Sequence, residues 1–289
     1  MRTADGREVR GRQVVLCAGA YGSPAILLRS GIGPAADLTE LGIPIVADRP
    51  GVGAHLLDHP AVVFACGNDY TAYRVNQEYT ATASTQIPTL LKARSDQAAE
   101  EIDLYVVQGQ FPDETGRKWL AWFNLDLEVA PSQGWVRLTS SDPEATLDID
   151  HAYLSDPREL EALCDGMELI RRLVATRPLA DAIDPVPGQE PEWHDRDELR
   201  AWVRDRVNTT FHPSSTCRMG PSADSEAVVD VAGRVYGVGG LRVADASVFP
   251  TIPRANIHCT IVAVAEKLAD AIRSDRTVQA TRASRRLTA

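Results

Sequence analysis

Val14-Val15-Leu16-Cys17-Ala18 constrains the fold of this chain more than any other stretch. It is a short, unbroken apolar run closed by Gly19. Such a run reads as a strand of a parallel sheet covered on both faces, because a half-solvated strand would alternate with polar residues. A helix follows, with Ser23 as N-cap and Pro24 in the first helical position. Gly31-Ile32-Gly33-Pro34 ends it. Asp37 to Leu41 reads as a second short helix, and a Pro/Gly-rich linker runs from Pro50 to Pro60. Near the other end, Leu241-Arg242-Val243-Ala244 is another buried strand, and a last helix spans about Asn256 to Ile272.

The pattern changes between these ends. Ala61–Gly67, Ile102–Gln108, Trp119–Val129 and Gly134–Thr139 alternate partially, with turn residues between them, as hairpins of an antiparallel sheet do. Thr71 to Ala99 is polar and weakly periodic, and is expected to include a loop. Asp156-Pro157 opens a helix whose apolar positions Leu160, Leu163, Cys164, Met167, Ile170 and Leu173 recur at three- and four-residue spacing. Trp193 to Arg206 holds another helix. The expected fold class is α/β (α+β). One part is assembled from residues 1–58 and 207–275. The other, residues 59–206, is an antiparallel sheet with flanking helices, and residues 276–289 form a polar tail.

A formal charge of −10 argues against a nucleic-acid binder, whose affinity rests on basic groups against phosphate. No apolar run reaches the roughly 18–20 residues of a membrane span, so no transmembrane segment is expected. Met1-Arg2-Thr3-Ala4-Asp5-Gly6 has no apolar stretch behind its charge and does not read as a signal peptide. Five cysteines lie scattered without a Cys-x-x-Cys pair, so a reduced, cytoplasmic setting is expected rather than a disulfide framework. His55 and His59 stand four apart but have no evident third ligand, and no metal is expected.

Three stretches carry chemistry. In Phe211-His212-Pro213-Ser214-Ser215-Thr216-Cys217-Arg218-Met219-Gly220, His212 offers an imidazole whose ordinary pKa, about 6.5, lies near working pH. That suits a base for a hydroxyl proton, although an isolated histidine is more often a solvated or core residue. Asp245-Ala246-Ser247 follows the second buried strand, and Ile252-Pro253-Arg254-Ala255-Asn256 leads into the last helix. Asn256 can donate an amide N–H to a substrate oxygen, cap the helix, or both; His258 is the alternative partner. Gly19-Ala20-Tyr21-Gly22-Ser23-Pro24 brings small residues to a helix N-terminus, where a cofactor can approach the backbone. Ordinary strand-to-helix punctuation has the same composition.

Together these stretches resemble the glucose–methanol–choline (GMC) family of flavin-dependent alcohol oxidoreductases. Gly19 to Gly33 is similar to the family signature Gly-Ala-x-x-Ser-Pro, two aliphatics and Ser-Gly-Ile-Gly. Phe211 to Gly220 is similar to the family's His-Pro segment ending in Thr-Cys-Arg-Met-Gly. Leu41-Gly42-Ile43-Pro44, Pro50-Gly51-Val52-Gly53 and Asp58-His59-Pro60 also fit. The resemblance implies FAD as cofactor and a small-molecule alcohol, choline or a related one, oxidised to an aldehyde or ketone. It implies that His212 is the catalytic base or a hydrogen-bond partner of the transition state, and that Asn256, or else His258, is the second catalytic residue. It places Ala20, Ser23, Pro24, Asp245, Ala246 and Asn256 at the flavin. Residues 1–58 and 207–275 become a partial FAD-binding domain, and 59–206 the substrate-binding domain. Trp119, Trp122, Phe123 and Asn124 are candidates to line the pocket, and nothing in the sequence selects an electron acceptor.

The resemblance runs from about Val9 to Arg273 and covers the later part of the family pattern. A Gly-x-Gly-x-x-Gly turn, which seats a pyrophosphate at a helix N-terminus, does not occur in the sequence. Gly31-Ile32-Gly33-Pro34 imitates it but ends a helix. Two expectations result. The chain is the C-terminal part of a GMC oxidoreductase, completed by an upstream polypeptide. Alternatively it is a non-catalytic binding or pairing module that has lost flavin chemistry.

Overall fold

A computed structural model describes residues 3, 6–68, 89–98, 101–112, 119–177, 179–185 and 193–287. At 66–68, 89, 110–112, 119–121, 182–185 and 276–287 it describes the backbone alone. The chain runs β1 (Val14–Leu16), α1 (Gly19–Arg29), β2 (Ile32–Gly33), α2 (Ala35–Glu40), β3 (Ala47–Asp48), β4 (Pro60–Asn68), β5 (Thr89–Ala93), β6 (Leu104–Pro112) and β7 (Trp119–Leu127). It continues with β8 (Trp135–Leu138), β9 (Leu147–Asp150), α3 (Pro157–Val174), α4 (Leu179–Ala182), β10 (Ile183–Pro185), α5 (Arg196–Arg206), β11 (Asn208–Thr209), β12 (Leu241–Val243) and α6 (His258–Leu287). Among the described residues no helix is long and apolar enough to cross a membrane.

Two units result. The first is Met1–Asp58, Gln133–Ala152 and His212–Ala289; the second is His59–Ser132 and Tyr153–Phe211. Residues 133–152 therefore leave the continuous 59–206 block that the sequence suggests, and 207–211 join the second unit. The reason is long-range backbone contact. The 133–152 segment is a β8–β9 hairpin, with Trp135 opposite Asp150 and Leu138 opposite Leu147. The amide of Val136 donates to the carbonyl of Gly53 at 2.7 Å. Gly53 has φ +80, and a Cβ there would lie 2.2 Å from the Val136 carbonyl oxygen. Only glycine lets the two backbones meet this closely.

In the first unit β1 and β12 pair in parallel, Val14 opposite Leu241 and Leu16 opposite Val243. Leu16, Leu27, Leu28, Val228, Val243, Val248 and Leu268 are among the residues of its core. Val15 is 38% exposed, so β1 is not covered on both faces as its composition suggests. The helix after it also differs from expectation. It begins at Gly19, so Ser23 is not its cap and Pro24 lies inside it. A proline there cannot donate to the carbonyl four residues back. That carbonyl, of Ala20, accepts instead from the Thr216 hydroxyl at 2.6 Å. At the other end, α6 starts at His258, which places Asn256 outside it. Residues 276–287, expected as a polar tail, continue this helix to Leu287.

The second unit is an antiparallel sheet in the order β10-β4-β7-β6-β5, with β11 beside β4. Its register sets Val62 and Val106 against Leu125, and Phe64 against Phe123. These residues share one face and pack with Leu163, Met167 and Ile170 of α3 and Leu199 and Val203 of α5. The period-2 strands and the 3.6-period helix stripe are complementary faces of one core. Asp156 caps α3 by accepting from the Arg158 amide, and Pro157 occupies its first turn. Most of Thr71–Ala99, including any loop expected there, lies outside the described residues; 89–93 is strand β5, paired with β6.

Candidate active site

Strand β1 and the residues after β12 deliver the first group. Past Val243, the Ala244 amide donates to the carbonyl of Leu16 at 2.8 Å, which extends the β1–β12 register. Asp245 then turns inward. Its Oδ2 accepts from the Gly19 amide at 3.0 Å and the Ser23 hydroxyl at 2.5 Å. Its Oδ1 accepts from the Ser247 amide at 2.9 Å and the Ser247 hydroxyl at 2.5 Å. The Ser23 oxygen in turn accepts from the Ala18 amide at 3.1 Å. Asp245 thus neutralises the positive end of α1 and ties it to the Ala246–Val248 turn. Ser23, Pro24, Ala20 and Ala246 are buried around this brace.

The segment after His212 is threaded beside that turn. Ser215, Cys217 and Met219 donate their amides to the carbonyls of Ala246, Ser247 and Val248. Ser214 to Cys217 are fully buried. Burial raises the Cys217 thiol far above its ordinary value, which removes it as a nucleophile.

His212 sits where this segment leaves the core. Phe211 has φ +63 and Ser215 φ +73, so left-handed residues flank it on both sides. Each costs roughly 1–3 kcal/mol and needs surroundings that enforce it. Leu57 and Ser214 exchange two backbone hydrogen bonds, at 3.1 and 2.9 Å. The His212 amide donates to Asp58 Oδ1 at 3.0 Å. Nε2 of the ring lies 3.4 Å from Nδ2 of Asn256. Burial lowers the His212 pKa below its ordinary value, and the Asp58 charge works in the opposite direction. The ring is therefore neutral at neutral pH. Asn256 is exposed beside it, and His258 is exposed at the first position of α6.

Tyr21, His151 and Asp58 were not singled out in the sequence as a group. The Tyr21 hydroxyl lies 2.8 Å from His151 Nε2, and the rings meet edge to face. The same Nε2 is 3.8 Å from Asp58 Oδ2. Burial, then the Asp58 charge, pushes the Tyr21 pKa up to about 12. The signal was an aspartate directly between apolar Leu57 and the His-Pro dipeptide, a costly place for a lone carboxylate. The histidine pair goes elsewhere: His55 Nδ1 meets Gln133 at 2.7 Å, and His59 faces Glu128.

The residues fit a flavin on its uncharged side. Cys17 and Ala18 are exposed at the carboxyl end of β1, and no heavy atom lies within 4 Å of where a Gly19 Cβ would stand. The carboxyl ends of parallel strands are where open α/β sheets receive ligands. The amino end of α1, by contrast, already holds the Asp245 carboxylate and offers nothing to a pyrophosphate. A separate cleft of about 260 Å³, lined by Leu28, Asp37, Leu38, Glu40, Trp135 and Arg137 among others, includes none of these residues.

Comparison with known proteins identifies the family. Sequence models described as GMC oxidoreductase match residues 2–61 and 130–265. The chain belongs to the GMC oxidoreductase family. It is 40% identical over 285 residues to the 5-(hydroxymethyl)furfural oxidase of Methylovorus sp. (strain MP688), covering 94% of this chain and 52% of that protein. It is 34% identical over 288 residues to an oxygen-dependent choline dehydrogenase of Serratia proteamaculans (strain 568), covering 91% and 51%. The structure aligns with formate oxidase of Aspergillus oryzae at a TM-score of 0.82 and 26% identity, covering 96% of this chain and 57% of that one. For pyridoxine 4-oxidase of Mesorbium loti the TM-score is 0.75 at 30% identity, covering 93% and 53%. The chain spans about half the length of the curated relatives it matches.

Proposed function

We propose that this chain contributes the proton-handling residues of an FAD-dependent alcohol oxidoreductase. The observation that carries the reading is the 3.4 Å approach of the Asn256 amide to a His212 ring held neutral by burial. A neutral imidazole accepts a proton, and an amide N–H beside it orients the oxygen that gives the proton up. In oxidation of an alcohol to an aldehyde or ketone, carbon loses a hydride and oxygen loses a proton. A bound FAD would supply the hydride acceptor. His212 Nε2 takes the proton, and Asn256 donates to the alcohol oxygen. Ala20 and Ala246 would line the cofactor, with Ser23, Pro24 and Asp245 holding the shelf rigid behind them. The substrate class that fits is a small primary alcohol, because the 40% identical relative is named for a hydroxymethyl compound. The remaining length of such relatives is the natural source of the pyrophosphate site, as an upstream polypeptide.

The test uses a flavin-complete form of the protein with 5-(hydroxymethyl)furfural as probe. Replacing His212 with Ala should lower turnover about 10²–10⁴-fold at unchanged flavin content. An unchanged rate refutes the assignment. With the native residue, kcat/KM should rise with pH through an apparent pKa below the ordinary histidine value, since the base must be unprotonated.

A further inference from the structure

We propose that Asp58 is a positioning residue for His212, fixing the histidine's backbone with its carboxylate while His151, held by the Tyr21 hydroxyl, stands 3.8 Å from its other oxygen. The catalytic meaning of this rests on the role proposed above for His212; the physical coupling does not. Asp58 is only 6% exposed, and a carboxylate in that setting is expensive unless it is bound by donors. The Leu57–Ser214 bridge brings it opposite the histidine loop. Pro213 has no N–H, so His212 carries the donor available to Asp58 at that point, and it is used, at 3.0 Å. The contact anchors a loop that holds left-handed residues on either side. From the other direction, His151 follows β9 and Tyr21 lies on α1, whose start Asp245 braces. Two separate stretches thus approach one carboxylate, and Tyr21 is linked to it through His151.

Asp58 has a second effect that a mere anchor would lack. Burial alone would make His212 a poor proton acceptor; the negative charge of Asp58 opposes that and preserves basicity. Of the titratable groups assembled here, Asp58 faces the His212 backbone, His151 stands 3.8 Å from Asp58, and Tyr21 faces His151. Tyr21 stays protonated, with its pKa near 12, and adds no charge.

The test is an NMR titration of the 289-residue chain with labelled histidine rings, His212 being identified by its loss in His212→Gln. Asp58→Asn keeps an acceptor for the backbone amide but removes the charge. It should lower the His212 pKa, and Asp58→Glu should restore it towards the parent value. An identical His212 pKa in parent and Asp58→Asn overturns the proposal. Should Asp58→Asn fail to fold, the parent still decides: the His212 backbone amide resonance must shift as Asp58 titrates, and a resonance that does not move overturns the proposal equally. In the flavin-complete protein, Asp58→Asn should also move the acid limb of kcat/KM to lower pH. A His212→Ala enzyme of normal turnover would remove the catalytic reading and leave the titration result standing.

Discussion

At the scale of single residues, the site is held by side chains that spend their hydrogen bonds on backbone. Asp245 accepts from four donors across two elements. Replacing it with Ala strands all four, and the expected loss is about 3 kcal/mol of unfolding free energy in urea; Asn, which keeps acceptor capacity, should lose less. Thr216 and Pro24 form a second such pair through the Ala20 carbonyl. Thr216→Val alone should cost about 1–2 kcal/mol, because that carbonyl loses its donor. In a Pro24→Ala background residue 24 regains an N–H, so the same change should cost markedly less. Equal costs in the two backgrounds would show the pair to be uncoupled. Among the candidate site residues, His212, Asn256 and Asp245 stood out in the sequence from motif and residue type. Asp58 did not: its flanking apolar Leu57 marks a costly carboxylate, but its partner lies 154 positions away and the local pattern does not say which residue binds it.

At the scale of elements, periodicity carried most of the reading. The stripe on α3 was visible because Leu163, Met167 and Ile170 face one sheet. Leu163→Ala should destabilise the second unit by about 2–5 kcal/mol, read from its denaturation midpoint. Where the reading failed, the cause was long-range. Ser23-Pro24 has the composition of a helix start, yet Thr216 relieves the proline and Asp245 takes the true amino end four residues earlier. The β8–β9 strands alternate like those of the second unit, but alternation says nothing about which core a hairpin joins. Gly53, at a backbone crossing, decides that. For α6, a polar composition hid a helix that continues to Leu287.

At the scale of the molecule, the two units carry titrations of opposite sign. In the second unit burial pushes the Glu128 carboxyl up from an ordinary 4.5 to about 7, with Lys92 pulling the other way and His59 Nε2 at 3.4 Å. The folded state then keeps a proton that the unfolded chain has lost. That stability is full below pH 4.5 and is lost as pH rises through about 7. In the first unit, the lowered His212 pKa makes a contribution that is full above the ordinary 6.5 and is lost as pH falls through the folded value. Stability measured against pH should therefore lose its decline towards neutrality in Glu128→Gln and part of its decline towards acid in His212→Gln. Parallel curves for parent and variants would contradict both. The path of the chain has a separate consequence. It passes between the units at 58/59, 132/133, 152/153 and 211/212. Recombination with a relative could not exchange the second unit through one contiguous graft without also replacing the Gly53-bound hairpin. A working chimera would need two inserts, 59–132 and 153–211, stitched around a retained 133–152. Homologous crossovers that ignore this interleaving should yield hybrids that fail in both halves.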